Sequence, residues 1–351
     1  MKATERDVAH LNSLYINRRA YHGELHDHAA TGGTSDGKYD LATWRKSMEK
    51  LNMDFAAILD HKQVRHMYLP EWEDGVFIGG TEPAAHILDS KAEDNLIHYN
   101  MIFEGPKPLE KLLEDFPEYK FEGGQEGHFI YAHMNRGRFL EIVKTVRELG
   151  GFFVHPHPKQ LMQCDDPCEY WFGDETGIEV FYRSIEHRFS EENYKLWTDL
   201  LALGKRVWAC AGGDGHAETS DAALTTIYAE DRKNKFYLSH LREGDFVCGP
   251  VGIKMCIGDT KMGGKCSFEN QRLVIAVDDF HSSVRNSQHK YRVELISDGG
   301  VATGREISCE TPFYLALDAE NCKFYRAEVF DTTRNLRIAI GNPIWNEQSE
   351  I

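Results

Sequence analysis

No stretch of about 18 consecutive apolar residues occurs in the chain, which argues against a membrane-crossing helix. The opening Met1-Lys2-Ala3-Thr4-Glu5-Arg6-Asp7 has none of the apolar centre of a secretory leader, so the expected location is the cytoplasm. There is no C-x-x-C pair. The eight cysteines (Cys164, Cys168, Cys210, Cys248, Cys256, Cys266, Cys309 and Cys322) are scattered. Cys164 and Cys168 can share a helical face, but free thiols are the expected state for all eight. Basic charge is also short: 40 Lys and Arg stand against 56 Asp and Glu, for a net charge of −16. That balance disfavours a general nucleic-acid binder, whose affinity rests on a basic footprint. It leaves room for a small anionic substrate, because bound divalent cations reverse the local field. Tandem repeats, low-complexity tracts and long linkers are absent as well.

What remains is an ordinary globular composition, 41% hydrophobic and 27% charged over 351 residues, with an unusual 17 histidines. Apolar runs predict strands at Gly23–His28, Phe55–Asp60, Val76–Thr81, Tyr99–Phe103, Gly151–His155, Gly177–Phe181 and Arg206–Ala211. Amphipathic helices fall between several of them. Leu41, Trp44, Met48 and Leu51 recur at helical spacing, as do Phe139, Ile142, Val143 and Val146, and Tyr194, Trp197 and Leu201. Gly150-Gly151 and Gly204 end two of these helices. This alternation predicts a parallel β/α architecture, and seven strands suggest a barrel over residues 1–249. After about residue 250 the pattern becomes strand-like: Tyr291, Val293 and Leu295 against Arg292 and Glu294, then Tyr325, Ala327 and Val329 against Arg326 and Glu328. Asp298-Gly299-Gly300 and Asp331–Asn335 read as turns. A smaller all-β, sandwich-like domain over 250–351 is expected.

The chemistry concentrates at strand ends. His26 and His28 are at i and i+2 and face the same way. Asp36 follows in a loop rich in Gly and Thr. The second strand ends in Asp60-His61, and the third in Gly79-Gly80-Thr81-Glu82, where a carboxylate can bridge two cations. Only 15 residues separate Glu82 from His98, so a hairpin-like return is expected to bring the two together. Another strand runs into His155-Pro156-His157-Pro158, and Gly213-Asp214-Gly215-His216 closes the seventh. Any one of these is as readily a core histidine or a solvated loop acid. Their common placement at one end of their strands, where barrel enzymes build active sites, points to a metal centre. Mixed imidazole and carboxylate donors suit Zn, Mn or Fe.

The order and spacing of these pieces resemble the PHP (polymerase and histidinol phosphatase) superfamily. The similarity runs through His26-Asp27-His28, Ser35-Asp36-Gly37, Leu59-Asp60-His61, Gly79-Gly80-Thr81-Glu82, His98, His157-Pro158, Gly177-Ile178-Glu179-Val180 and Gly213-Asp214-Gly215-His216, over about residues 20–250. Leu241-Arg242-Glu243-Gly244-Asp245-Phe246 and Asn342-Pro343-Ile344 resemble segments that close such domains. The resemblance implies a distorted (β/α)7 barrel with up to three divalent metals. His26, His28, Glu82 and Asp214 would hold the first, Asp36, His61 and His216 the second, and Glu82, His98 and His157 the third. Two departures stand out. Leu59 replaces the usual Thr, and the doubled His-Pro leaves His155 and His157 in competition, with the count from Gly150-Gly151 favouring His157.

The function expected on this basis is a metal-dependent phosphoesterase that acts on a small phosphorylated molecule through a metal-activated water. Asp60 would orient a ligand from behind. Lys62, Arg65 and Arg183 lie beside motif positions and can hold a phosphate, although each is as readily a surface charge. His22, His66, His86, His128 and His133 are structural or substrate-side. Alternatives are a carbamate or amide hydrolase on the same metals and, further off, an exonuclease-type phosphodiesterase. The β domain is expected to serve packing or homo-oligomerisation before ligand binding.

Overall fold

A strand buried on both faces needs an apolar side chain at every position, and Phe55-Ala56-Ala57-Ile58 supplies four, all fully buried. In the computed structural model, which describes residues 2–119, 127, 129–217 and 220–348, this segment is a central strand of a large mixed sheet. The N-terminal elements are α1 (Glu5–Leu14), β1 (Arg19–Asp27), α2 (Leu41–Leu51), β2 (Phe55–Ile58), β3 (Phe77–Thr81), β4 (Ala84–Ile87), β5 (Leu96–His98), β6 (Asn100–Phe103), α3 (Pro106–Asp115), β7 (Ala132–Met134), α4 (Arg136–Glu148), β8 (Phe152–His155), α5 (Pro158–Leu161), β9 (Thr176–Tyr182), α6 (Arg188–Ala202), β10 (Val207–Gly212), β11 (Thr225–Ala229), α7 (Asn234–Glu243) and β12 (Phe246–Cys248). Among the described residues no helix is long and apolar enough to cross a membrane. His128 lies outside the described residues.

The helices follow their sequence signals. Asp40 caps α2 by accepting from the Thr43 amide, and Asn52 ends it in the left-handed conformation. The buried face of α2 is Leu41, Trp44 and Met48. Asn135 caps α4, which buries Phe139, Ile142, Val143 and Val146. Gly150 and Gly204, both at positive φ, follow α4 and α6.

The sheet departs from the all-parallel expectation at β6. β1, β2 and β3 run parallel, and so do β8, β9 and β10. β6 is antiparallel to both neighbours, β3 and β8. The cause is the short chain between Thr81 and Asn100. It holds the β4–β5 hairpin rather than a crossover helix, so the chain re-enters the sheet reversed. β4 also pairs in parallel with β7, which makes a separate three-stranded sheet in the order β5-β4-β7. At the far end of this run the chain returns to its start. His28 N donates to Gly215 O at 2.8 Å, and Asp27 bridges Gly215 in parallel.

The C-terminal part is β13 (Val251–Ile257), β14 (Thr260–Lys261), β15 (Lys265–Cys266), β16 (Arg272–Phe280), β17 (Tyr291–Ser297), β18 (Gly300–Ile307), β19 (Phe313–Asp318), β20 (Phe324–Asp331), β21 (Leu336–Gly341) and β22 (Ile344–Asn346). A four-stranded sheet, β14-β13-β16-β19, shares one apolar core with β17, β20 and β21. The large sheet continues across residue 249: β12 pairs with β21 through Val247–Gly341 and Cys248–Ile340. Asn342, fully buried, ties the two parts further. It accepts from Ala209 N at 2.8 Å and donates to Phe246 O at 3.2 Å.

Alternation sets Arg326 and Glu328 opposite the apolar face of β20, and they too are buried, at 5% and 0% exposure. α6 lies over them. Tyr194 OH donates to Glu328 at 2.8 Å, and the guanidinium groups of Arg326 and Arg337 reach the two Glu328 oxygens at 2.9 and 2.8 Å.

Candidate metal centre

The strand ends deliver their histidines and carboxylates to one place. Three groups form: His26, His28, Glu82 and Asp214; His28, Asp36, His61 and His216; and Glu82, His98 and His157. Within each group the candidate ligand atoms lie within 4.8 Å of one another. Bonds of about 2.1 Å to a tetrahedral or octahedral ion set donor atoms roughly 3.0–3.4 Å apart. Here Glu82 Oε2 is 3.3 Å from His26 Nε2 and 3.2 Å from His28 Nε2. Asp214 Oδ1 is 3.7 and 3.4 Å from the same two nitrogens. The other Glu82 oxygen, Oε1, faces His98 Nδ1 at 2.9 Å and His157 Nε2 at 3.1 Å. Asp36 divides its oxygens between His61 Nε2 at 3.5 Å and His216 Nε2 at 3.1 Å. His28 stands between the first two groups, its ring stacked 4.6 Å from that of His61 and 4.3 Å from that of His216.

A scan of protein-family models finds no match to the chain, and a search of curated proteins finds none either.

The residues present fit divalent ions on two counts. First, His26 Nε2 and both ring nitrogens of His28 are buried without a hydrogen bond of good geometry. Buried polar atoms of that kind are costly and rare. Second, the cluster balances its charge by sharing protons. Burial alone would lower His28, but the Asp214 and Glu82 carboxylates outweigh it and push its pKa up to about 10. His26 is raised well above the ordinary range against the same desolvation, by Glu82 and Glu179. Burial would raise Glu82, yet His26, His98 and His157 hold it well below the usual carboxylate range. Asp214 and Asp36 are likewise lowered against burial, Asp214 by His28 and His26 and Asp36 by His216 and His61. His98 is lowered, with desolvation as the largest cause. Imidazoles that keep a proton only because carboxylates surround them are sites where a cation displaces that proton.

His155 and His157 separate cleanly. His157 is in the third group, two residues beyond β8 and at positive φ. His155 belongs to none. It packs with its ring 5.9 Å from Tyr170 and 5.2 Å from Phe172, and burial together with His157 pushes its pKa down to about 3.

The residues proposed for catalysis have different placements. Asp60 is fully buried and reaches no ligand imidazole. It accepts from Ala29 N at 2.8 Å, from the Thr31 and Ser35 hydroxyls and from His66 Nδ1 at 3.2 Å. It therefore fixes the loop that carries Asp36 instead of a metal-binding ring. Lys62 is buried too, and its Nζ donates to the carbonyls of Gly127 and Ile130. Desolvation brings its pKa down to about 8. Arg65 is exposed. Arg183 reaches the cluster: its side chain is 52% exposed, and Nη2 is 3.4 Å from Asp214 Oδ2. His22 sits elsewhere, 3.5 Å from Asp279 and with its ring 5.2 Å from His281.

Glu179, which has no role legible in the sequence, stands behind the cluster. Its Oε1 lies 3.2 Å from His26 Nδ1, and its Oε2 accepts from His157 N at 2.8 Å. A carboxylate behind a ligand histidine fixes its tautomer and orientation. The signal was a lone acid in the otherwise apolar strand Gly177-Ile178-Glu179-Val180-Phe181, which is buried throughout. Tyr182 was also missed; its hydroxyl donates to Asp214 Oδ2 at 3.0 Å. Gly212 and Gly213 leave room for the Glu179 and Glu24 carboxylates, against which a Cβ at either position would press. Four non-glycine residues at positive φ (Lys62, His157, Arg183 and Asp214) lie at strand ends around the cluster, where stored backbone strain commonly marks function.

Proposed function

We propose that the chain is a metal-dependent hydrolase of the PHP type, a phosphoesterase acting on a small phosphorylated molecule. The reading includes a distorted (β/α)7 barrel over residues 1–249 and a sandwich-like β domain over 250–351. The Asp27–Gly215 bridge supports closure of the barrel, and the core shared by two sheets supports the sandwich. The observation that carries the function is Glu82. It is a buried carboxylate with one oxygen toward His26 and His28 and the other toward His98 and His157, the arrangement of a bridging ligand between neighbouring cations.

Two or three ions of Zn, Mn or Fe bound there would supply Lewis acidity at the ester and a water of lowered pKa. The chain's own groups do the rest. Glu179 keeps the proton of His26 on Nδ1, so Nε2 faces Glu82 and Asp214. Tyr182 holds Asp214 by its hydroxyl. Arg183 offers a guanidinium at the rim to an anionic oxygen of the substrate. Asp60 holds the 29–35 loop and so sets the position of Asp36.

Elemental analysis of the purified protein comes first, and two or three equivalents of transition metal are expected. A panel of phosphate monoesters, diesters, cyclic phosphates and aryl carbamates then tests the bond. Turnover of phosphate monoesters is expected. Turnover confined to carbamates or amides would replace the phosphoesterase reading, and no turnover with any metal would reject the hydrolase.

A further inference from the structure

The three-stranded sheet β5-β4-β7 has two unlike faces. Residues two apart in a strand share a face, and paired residues in adjacent strands point the same way. One face carries Ala85, Ile87, Ile97, Ala132 and Met134, all in the main apolar core. The other starts at the metal centre. His98, the partner of Glu82, pairs with Ala84. His86, two residues on, pairs with Leu96 and with His133. Tyr131 immediately precedes β7 on the same side as His133.

These side chains form a continuous row of rings leading out of the centre. The His98 ring is 6.4 Å from Tyr131, Tyr131 is 5.6 Å from His86, and His86 stacks on His133 at 4.9 Å. Tyr131 is half-buried and His133 is exposed, and neither has a hydrogen bond among the described residues. Lys62 anchors the carbonyls of Gly127 and Ile130, which pins the segment entering Tyr131. Packing explains the inner face of this sheet. On the outer one, Asn95 Oδ1 meets His86 Nδ1 at 2.8 Å and Lys62 Nζ stands 5.9 Å from the Tyr131 ring, while exposed His133 has its described ring contact with His86.

We propose that this outer face, Tyr131, His86 and His133 beside His98, is the floor on which the substrate's organic part lies, and that it selects a planar ring. His86 and His133 cover each other's faces and Tyr131 stands at 68° to His86, so the row meets a planar group with ring edges, in the edge-to-face contact that a flat π face accepts and a puckered ring does not. The inference rests on the hydrolase reading for which bond is broken, but not for what the sheet binds.

The test separates the two. Benzyl phosphate and cyclohexylmethyl phosphate have alike leaving groups and differ in that one ring is flat and the other puckered. Wild-type protein loaded with its metal is expected to prefer the benzyl ester by about tenfold in kcat/KM. In Tyr131→Ala/His133→Ala, and in Tyr131→Leu, which keeps bulk without the flat ring, the ratio is expected to fall toward one. A wild-type ratio near one, or a ratio unmoved in both variants, overturns the inference. The second arm needs no turnover. 2-Naphthylmethanol, followed by its own fluorescence, is expected to bind wild-type protein and to bind the double variant at least about fivefold more weakly. Equal binding to both overturns the inference. Discriminating binding without hydrolysis of any ester would sustain it and sink the hydrolase reading alone.

Discussion

Glu82 and Glu328 are both carboxylates with essentially no exposure, and their surroundings could hardly differ more. Glu328 is met by two guanidinium groups and a tyrosine hydroxyl, and each of its oxygens has a hydrogen bond of 2.8–2.9 Å. Arginine stays charged at any accessible pH, so that cluster is closed and self-sufficient. Glu82 is met by imidazoles that hold a proton only conditionally. Nitrogens of three of them, His26, His28 and His157, are left without a hydrogen bond of good geometry. Buried charge by itself therefore says little about function. A buried acid whose partners can exchange protons for a cation says much more.

The sharpest way to break this contrast is Asp214→Ala. If the His26–His28–Glu82–Asp214 group holds an ion, turnover should fall by about a thousandfold or more, with metal content reduced and the circular dichroism spectrum retained. Near-wild-type activity would place the chemistry elsewhere. Glu328→Gln should do the opposite. It leaves buried Arg326 without its carboxylate and Arg337 with Glu191 alone, and should cost about 3–5 kcal/mol in denaturant unfolding, with activity per folded molecule and metal content unchanged. Glu179→Gln lies between the two. It should keep the fold and weaken metal affinity about 10- to 100-fold in a chelator competition, because His26 loses its orienting carboxylate.

The smallest effect concerns a third buried carboxylate, Asp245, which is paired with Arg18 and Lys261 at 3.0 and 2.5 Å. Burial would raise its pKa, but His240 and Lys261 outweigh that and hold it at about 2. A folded-state pKa below the unfolded value means stabilisation that is present above about pH 4 and lost as pH falls through about 2. The difference in unfolding free energy between wild type and Asp245→Asn should therefore shrink by roughly 2 kcal/mol between pH 4 and pH 2. A difference flat across that window would show that the pairing leaves the titration of Asp245 untouched.

Much of the candidate centre was legible because its elements announce themselves locally. Apolar runs ending in His26, His61, Glu82 or Asp214 give both the strand and the side chain at its end, and Trp44, Phe139 and Trp197 mark helices by spacing alone. What was not legible depends on neighbours. Alternation along Tyr325–Val329 identifies a strand, but not that α6 would cover its polar side and bury Arg326 and Glu328. The brief interval between Glu82 and His98 predicts a return of the chain. That this return reverses β6 follows only once the sheet is assembled. Glu179 looked like one letter of a motif, and its role needs the approach of His26 from a strand 153 positions away. That the His157 ring faces Glu82 while the His155 ring faces Tyr170 likewise emerges only from the assembled fold.

The pairing of β12 with β21, and the grip of Asn342 on Ala209 and Phe246, bear on how the polypeptide is made. During translation the half that carries the candidate centre leaves the ribosome with a bare hydrogen-bonding rim at Val247–Cys248. The strand that seals it, β21, is synthesised only after β13 to β20. Until then that rim is open to any other extended chain nearby. A ribosome stalled or a message truncated between residues 248 and 336 would therefore release a product inclined to clump, even though every histidine of the candidate centre had already been made.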